Sequence, residues 1–114
     1  MTSKLLPGAL LFLGASGAAL SHHPVAGSFD PSRSIVVTGE VVEWRLRNPH
    51  SLLVVEGVAV IDGAPDSTPQ RWEIETSPSA WMRAMGIDET TFAPGVKVKV
   101  SGVPHRNSSL HRMN

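Results

Sequence analysis

The sequence predicts a small all-β domain behind a cleaved export signal, and three observations carry that prediction. The run from Ser34 to Leu46 is β-branched and alternates with the period of a strand. Two further apolar runs follow before the period changes, once, to that of a helix around Trp81 and Met82. The first twenty or so residues have the order of a signal peptide: Lys4, an apolar stretch from Leu5 to Leu13, then small residues from Ala15 to Ser21.

With 114 residues the chain has room for one domain. The apolar part of the leader is shorter than the roughly 20 residues that span a bilayer. Residues 1–21 are therefore read as a signal peptide, 22–33 as an extended N-terminal arm and 34–114 as the folded domain, periplasmic or secreted, with no membrane span once the signal is removed. Cysteine is absent, so no disulfide supports so small a core. Ten basic and ten acidic residues balance, and losing Lys4 with the leader leaves one excess negative charge. No basic stripe gathers phosphates, which excludes nucleic acid as a partner of choice.

In the arm, Pro24, Gly27 and Pro31 oppose a helix and favour extended chain, anchored by Phe29. The first strand, Ser34 to Leu46, sets Val36, Thr38, Glu40, Val42 and Trp44 on one side and Ile35, Val37, Gly39, Val41 and Glu43 on the other. Valines on both sides imply cover on both faces for part of its length, and Gly39 suits a bulge or sharp coil. Asn48-Pro49 breaks the run, since Pro49 cannot donate to a ladder and restricts Asn48. Ser51 to Asp62 is the second strand, and Gly63 to Pro69 is read as a loop. Gln70 to Thr76 is the third strand, with Trp72 and Ile74 on one face and Arg71, Glu73 and Glu75 on a wet one.

Ser77 as N-cap, Pro78 at the first helical position and Gly86 at C′ bracket a helix of about two turns over 78–85. Asp88 to Phe92 reads as one more helical turn and Pro94-Gly95 as a tight turn. Val96 to Gly102 is the fourth strand, and Val103 to Met113 a weaker fifth around a hairpin tip at Arg106 to Ser109. Three strands, a short helix, then two strands is the order of a small OB-like five-stranded barrel. A small β-sandwich is the alternative.

His22-His23 followed by Phe29-Asp30, then Thr38-Gly39-Glu40-Val41, Trp44 with Asn48-Pro49-His50, Trp72-Glu73, Ser77-Pro78, and Pro94-Gly95 before Val98-Lys99-Val100-Ser101-Gly102 carry a family likeness. From His22 to about Ser109 the chain resembles a family of small bacterial exported proteins catalogued as a domain of unknown function. The resemblance implies a periplasmic, OB-like β-domain and no established reaction. It also implies a last strand and an Asp-Gly turn beyond Ser109, whereas this chain stops at Asn114. A short fifth strand, or one completed by a partner chain, is therefore expected.

Five histidines, His22, His23, His50, His105 and His111, are the residues to weigh for chemistry, because imidazole is a common ligand for copper, zinc and nickel. A signal cut after Ser21 makes the α-amine and side chain of His22 a chelate, which His50 would complete as a T-shaped nitrogen set for Cu(II). A cut after Ala19 instead places His22 third, where amine, backbone nitrogens and imidazole form a square-planar site for Cu(II) or Ni(II). Against this stands the bland reading, with the paired histidines solvated and His50 satisfying backbone groups at the Asn-Pro corner. His105 and His111 are read as surface residues. Asn48 is a turn former whose functional role would be to orient His50.

Trp44, Trp72 and Trp81 are better read as core than as a stacking platform. Met82 and Met85 are read as packing in preference to soft Cu(I) ligands. Glu40, Glu43, Glu73 and Glu75 form the wet face, since nothing brings two of them together as acid and base. No serine has a hydrolase pattern around it and there is no phosphate loop, which disfavours those enzyme classes. The expectation is a non-enzymatic binding module that holds Cu(II) through His22, His23 and His50. The alternative is an interaction protein that forms a homo-oligomer through an incomplete barrel edge. A copper oxidase is weaker still, lacking any visible substrate face.

Overall fold

The computed structural model describes residues 25–114, so the signal peptide expected at 1–21 and the start of the arm lie outside the described residues. The element order is α1 (Val25–Ser28), β1 (Ile35–Arg45), β2 (Leu52–Ile61), β3 (Ala64–Glu75), α2 (Ser79–Ala84), β4 (Lys97–Gly102) and β5 (Arg112–Met113). The strands form one curled sheet in the order β4-β1-β2-β3-β5, with every pairing antiparallel except β3 with β5. A single sheet replaces the two packed sheets that a sandwich requires.

Past β4 the chain runs on to pair with its own end. Val103 and Asn114 exchange both backbone hydrogen bonds, at 2.8 and 3.0 Å, and Pro104 bridges Met113, which itself pairs with Ile74 of β3. The run that begins as β4 thus meets β5, and β5 meets β3, which curls the sheet toward an OB-like barrel with the helix between strands three and four. The fifth strand is short, two residues long. The hairpin tip falls at Arg106 to Ser109, where the Asn107 carboxamide oxygen Oδ1 accepts from the Ser109 N–H and hydroxyl.

The concave face holds the core: Ile35, Val37 and Val41 of β1, Leu53, Val55 and Ala59 of β2, Trp72 and Ile74 of β3, and Met113 of β5. Each valine, leucine, isoleucine and methionine among them contributes about 1.5–3 kcal/mol by leaving water. The two-fold period of β1 breaks once, at a bulge over Val42 between the pairs Val41–Val55 and Glu43–Val54. The extra residue turns Trp44 onto the core side, where it packs edge-on against Phe92 at 5.1 Å and donates its indole N–H to the Asp88 carbonyl. The sequence reading had Trp44 on the opposite side from Ile35 and Val37, and placed the irregularity at Gly39.

Gly39 has another role. It pairs directly with Gly57, and a Cβ on it would stand 2.1 Å from the Glu56 carbonyl oxygen. Strand cover on both faces is found in β2, where Leu53, Val54 and Val55 are consecutively buried, while Val42 on β1 is exposed.

Three local expectations change. Of the segment read as a loop from Gly63 to Pro69, Ala64 to Pro69 belongs to β3, and the connection is a two-residue turn with φ of 50° at Asp62 and 78° at Gly63. Asp62 is tied there by the Ser34 N–H and Arg33, which hold its carboxyl below the usual range. Pro65 and Pro69 are tolerated because β5 covers β3 only at Glu73 and Ile74, leaving the earlier residues on a free edge where a missing N–H costs nothing. The arm contains one helical turn, α1, where extended chain was expected; Phe29 is nonetheless its anchor, buried and bridged to His105. Asp88 to Phe92 is a hydrogen-bonded turn instead of a helical one, with Asp88 Oδ1 accepting from the Thr90 N–H and hydroxyl.

Helix α2 is shorter than the 78–85 expected, and its N-cap is Pro78, not Ser77. Proline has no capping side chain, so the cap comes from across the fold. Asn48 Oδ1 accepts from both the N–H and the hydroxyl of Ser79 at 3.2 Å. At the far end the Ile87 N–H reaches the Met82 carbonyl and the Gly86 N–H the Arg83 carbonyl, the paired bonds of a Schellman ending. Loss of the borrowed cap should be measurable: Asn48→Ala is expected to destabilise by about 1 kcal/mol, lowering Tm by about 5 °C in circular-dichroism melts. An unchanged melt would mean that the Arg47 carbonyl, which also accepts from Ser79, suffices.

Candidate functional site

The corner between β1 and β2 is built before any ligand is considered. Asn48-Pro49 is a cis peptide. Arg47 Nε donates to the His50 carbonyl at 2.9 Å, and Ser51, with no exposed surface, is held at both ends. The Ser51 N–H donates to the Ser77 carbonyl, and the Ser51 carbonyl accepts from the N–H and hydroxyl of Thr76. These bonds tie the start of β2 to the end of β3 and to α2, so the backbone that carries His50 is fixed on three sides.

The His50 side chain is different. It is half-buried, and among the described residues no hydrogen bond engages its ring. The expected alternative, a ring that satisfies backbone groups at the corner, is not the arrangement found; it is the His50 carbonyl that takes the local hydrogen bond. Asn48 spends its carboxamide oxygen on Ser79 and makes no direct bond to the His50 ring.

Two neighbouring grooves share His50 and Glu75. One, of about 520 Å³, is lined by His50, Glu75, Thr76, Ser77, Pro78, Trp81, Met82 and Asn114. The other, of about 340 Å³, lies on the Arg47–Pro49 side. Glu75 faces the first groove with its carboxylate gripped by Arg112 Nη2, and its side chain is only 12% exposed. Arg112 also lies 3.7 Å from the Glu73 carboxylate. The carboxylates of β3 are therefore partly enclosed and paired, a departure from the wholly wet face that alternation suggested.

The other candidates fall into place by contact. His105 packs edge-on against Phe29 at 5.4 Å, with Nδ1 accepting from the Asn107 N–H, and His111 lies against Trp72 at 5.1 Å. Both are half-buried packing residues, not the free surface groups expected. Trp72 is core, with its indole N–H buried and unpartnered, whereas Trp81 is 70% exposed, against the expectation that all three tryptophans are core. Adjacent residues on a helix point about 100° apart: with Met82 on the buried side of α2, Trp81 turns toward solvent, and Met85 at the C-cap is 61% exposed. Among the described residues no three His, Asp or Glu side chains are grouped to hold a metal ion, and no helix is long and apolar enough to cross a membrane. His22 and His23 lie outside the described residues.

Sequence reasoning singled out His50 but missed Trp81 and the Glu75–Arg112 pair. The adjacency of Trp81 and Met82 was the available signal for the first. Nothing in the sequence signals the second, because Arg112 reaches Glu75 only through the parallel β3–β5 pairing.

Fold and site together define a small OB-like β-domain with an imidazole-bearing groove between the β1–β2 corner and the inter-strand helix. The chain belongs to the family of unknown function DUF6152, whose model matches residues 10–114. No curated protein and no solved structure matches it.

Proposed function

We propose that the protein is an exported, non-enzymatic binding module for Cu(II), held by His22, His23 and His50. The observation that carries this reading is the His50 ring: it sits on a backbone fixed from three sides, at the mouth of two grooves, with no hydrogen bond from the described residues. A rigid, accessible imidazole is a pre-organised ligand, and a histidine-bearing mature N-terminus supplies the remaining nitrogens by chelation. Asn48 contributes by pinning the corner.

The alternative, a partner chain adding a strand at the barrel edge, has less support. The open edge of β4 carries Lys97 and Lys99, and that of β3 carries Pro65 and Pro69, residue types that oppose strand addition.

The test is calorimetric titration of mature protein whose N-terminus has been established by intact mass. About one Cu(II) per chain is expected, with binding lost in His22→Ala and weakened in His50→Ala. Undiminished binding by the double variant removes the proposal.

A further inference from the structure

Among the described residues the largest exposed side chain is Trp81, left 70% in water on the helix that borders the larger groove beside His50. Its surroundings in that groove are polar. The Ser77 hydroxyl, the Asn114 carboxamide and the His50 ring make no hydrogen bond among the described residues, and Glu75 gives one oxygen to Arg112 and keeps the other. Ser77, Asn114 and a neutral His50 each offer a donor and an acceptor, and Glu75 adds an acceptor whose charge Arg112 offsets. The frame is fixed, because Asn48 ties the first turn of α2 to the corner that carries His50.

One exposed aromatic face beside a wall of mixed donors and acceptors selects a particular shape of ligand. It must be uncharged, apolar on one flat side and hydroxylated around its edge. A pyranose ring with equatorial substituents has this form: its axial C–H groups make a flat apolar face that covers an indole, and its edge hydroxyls both donate and accept. A nucleobase fits less well. Both of its faces are apolar, and the groove has a single aromatic wall, with Met82 only 7% exposed. The groove, about 520 Å³, is within the size of sites that hold small ligands.

We propose that this groove binds a neutral pyranoside of mono- or disaccharide size. Trp81 is the stacking surface, and Ser77, Asn114, Glu75 and His50 are the groups that read the hydroxyls. The inference goes beyond the copper reading, shares only His50 with it, and needs neither His22 nor His23.

The probes are cellobiose and N,N′-diacetylchitobiose, with sorbitol and adenosine as comparisons. The mature chain, labelled with ¹⁵N at its tryptophans, is titrated with each, and the Trp81 indole N–H resonance is followed. At least one of the two sugars is expected to move that resonance to saturation, while sorbitol, which has hydroxyls but no flat apolar face, leaves it in place. Trp81→Ala removes an exposed ring and leaves the core intact, so it should fold; it is expected to weaken sugar binding, read by calorimetry, by about tenfold. Trp81→Phe keeps a stacking face and should retain more of the affinity. Ser77→Ala is expected to weaken binding by about threefold, and Met85→Ala, outside the groove lining, to leave it unchanged. His22→Ala should leave the sugar titration unchanged while abolishing Cu(II) binding, so the two proposals fail separately. The saccharide site is overturned if neither sugar moves Trp81 up to its solubility limit, if Trp81→Ala binds as the parent does, or if sorbitol or adenosine binds there more tightly than both sugars.

Discussion

Gly39→Ala is expected to destabilise the domain by about 3 kcal/mol or more, at or beyond the upper end of ordinary overpacking. The reason is where the new methyl would go. It would stand 2.1 Å from the Glu56 carbonyl oxygen and 2.6 Å from Gly57 Cα, both backbone atoms of the paired strand, which cannot swing aside as the tip of a long side chain can. Gly57→Ala meets the same obstacle from the other side, 2.2 Å from the Thr38 carbonyl oxygen. Either change forces β1 and β2 apart in the middle of their ladder. Urea unfolding followed by tryptophan fluorescence measures the loss, and Gly27→Ala, with nothing within 4 Å, serves as a control expected to stay within about 0.5 kcal/mol. A loss below about 1 kcal/mol for Gly39→Ala would show that the strands relax around a Cβ.

The second large effect is expected at the other end of the chain. Met113 has no exposed surface, pairs with Ile74 across the parallel step and lies in the core cluster. Met113→Ala should cost about 2–5 kcal/mol through lost burial and the cavity left behind. Met113→Leu conserves volume and should cost less than about 1.5 kcal/mol. Because β5 has only two residues, its place depends on this one side chain more than on ladder bonds. Hydrogen exchange should therefore show the amides of Val103 and Asn114, which bond each other's carbonyls, losing protection in Met113→Ala ahead of those in β2. Equal protection in the variant would mean that the closing hairpin is held by its backbone alone.

These two positions also mark the limits of what the residues reveal before folding. The alternation of Ile35, Val37 and Val41, the single change of period at α2 and the Pro94-Gly95 turn are local signals, and they yielded the strand order and an OB-like barrel. His50 was legible for the same reason: a histidine directly after Asn-Pro stands at a corner whatever packs against it. The Asp62-Gly63 turn was legible too, yet the nearby prolines outweighed it, because only the knowledge that β3 is an edge there makes them harmless.

What the sequence by itself determined is thus the set of elements, their order and the corner that carries His50, since backbone sterics and hydrophobic period act over a few residues. The tertiary structure decided the rest: the Val42 bulge that turns Trp44 inward, the Gly39–Gly57 contact, Asn48 capping a helix thirty-one residues away, and Arg112 closing on Glu75. It also decided that Trp81 faces solvent beside His50 and Met82. Each of these depends on which segment lies against which. That is settled by the packing of a shared core between residues far apart in the chain, which no local pattern encodes.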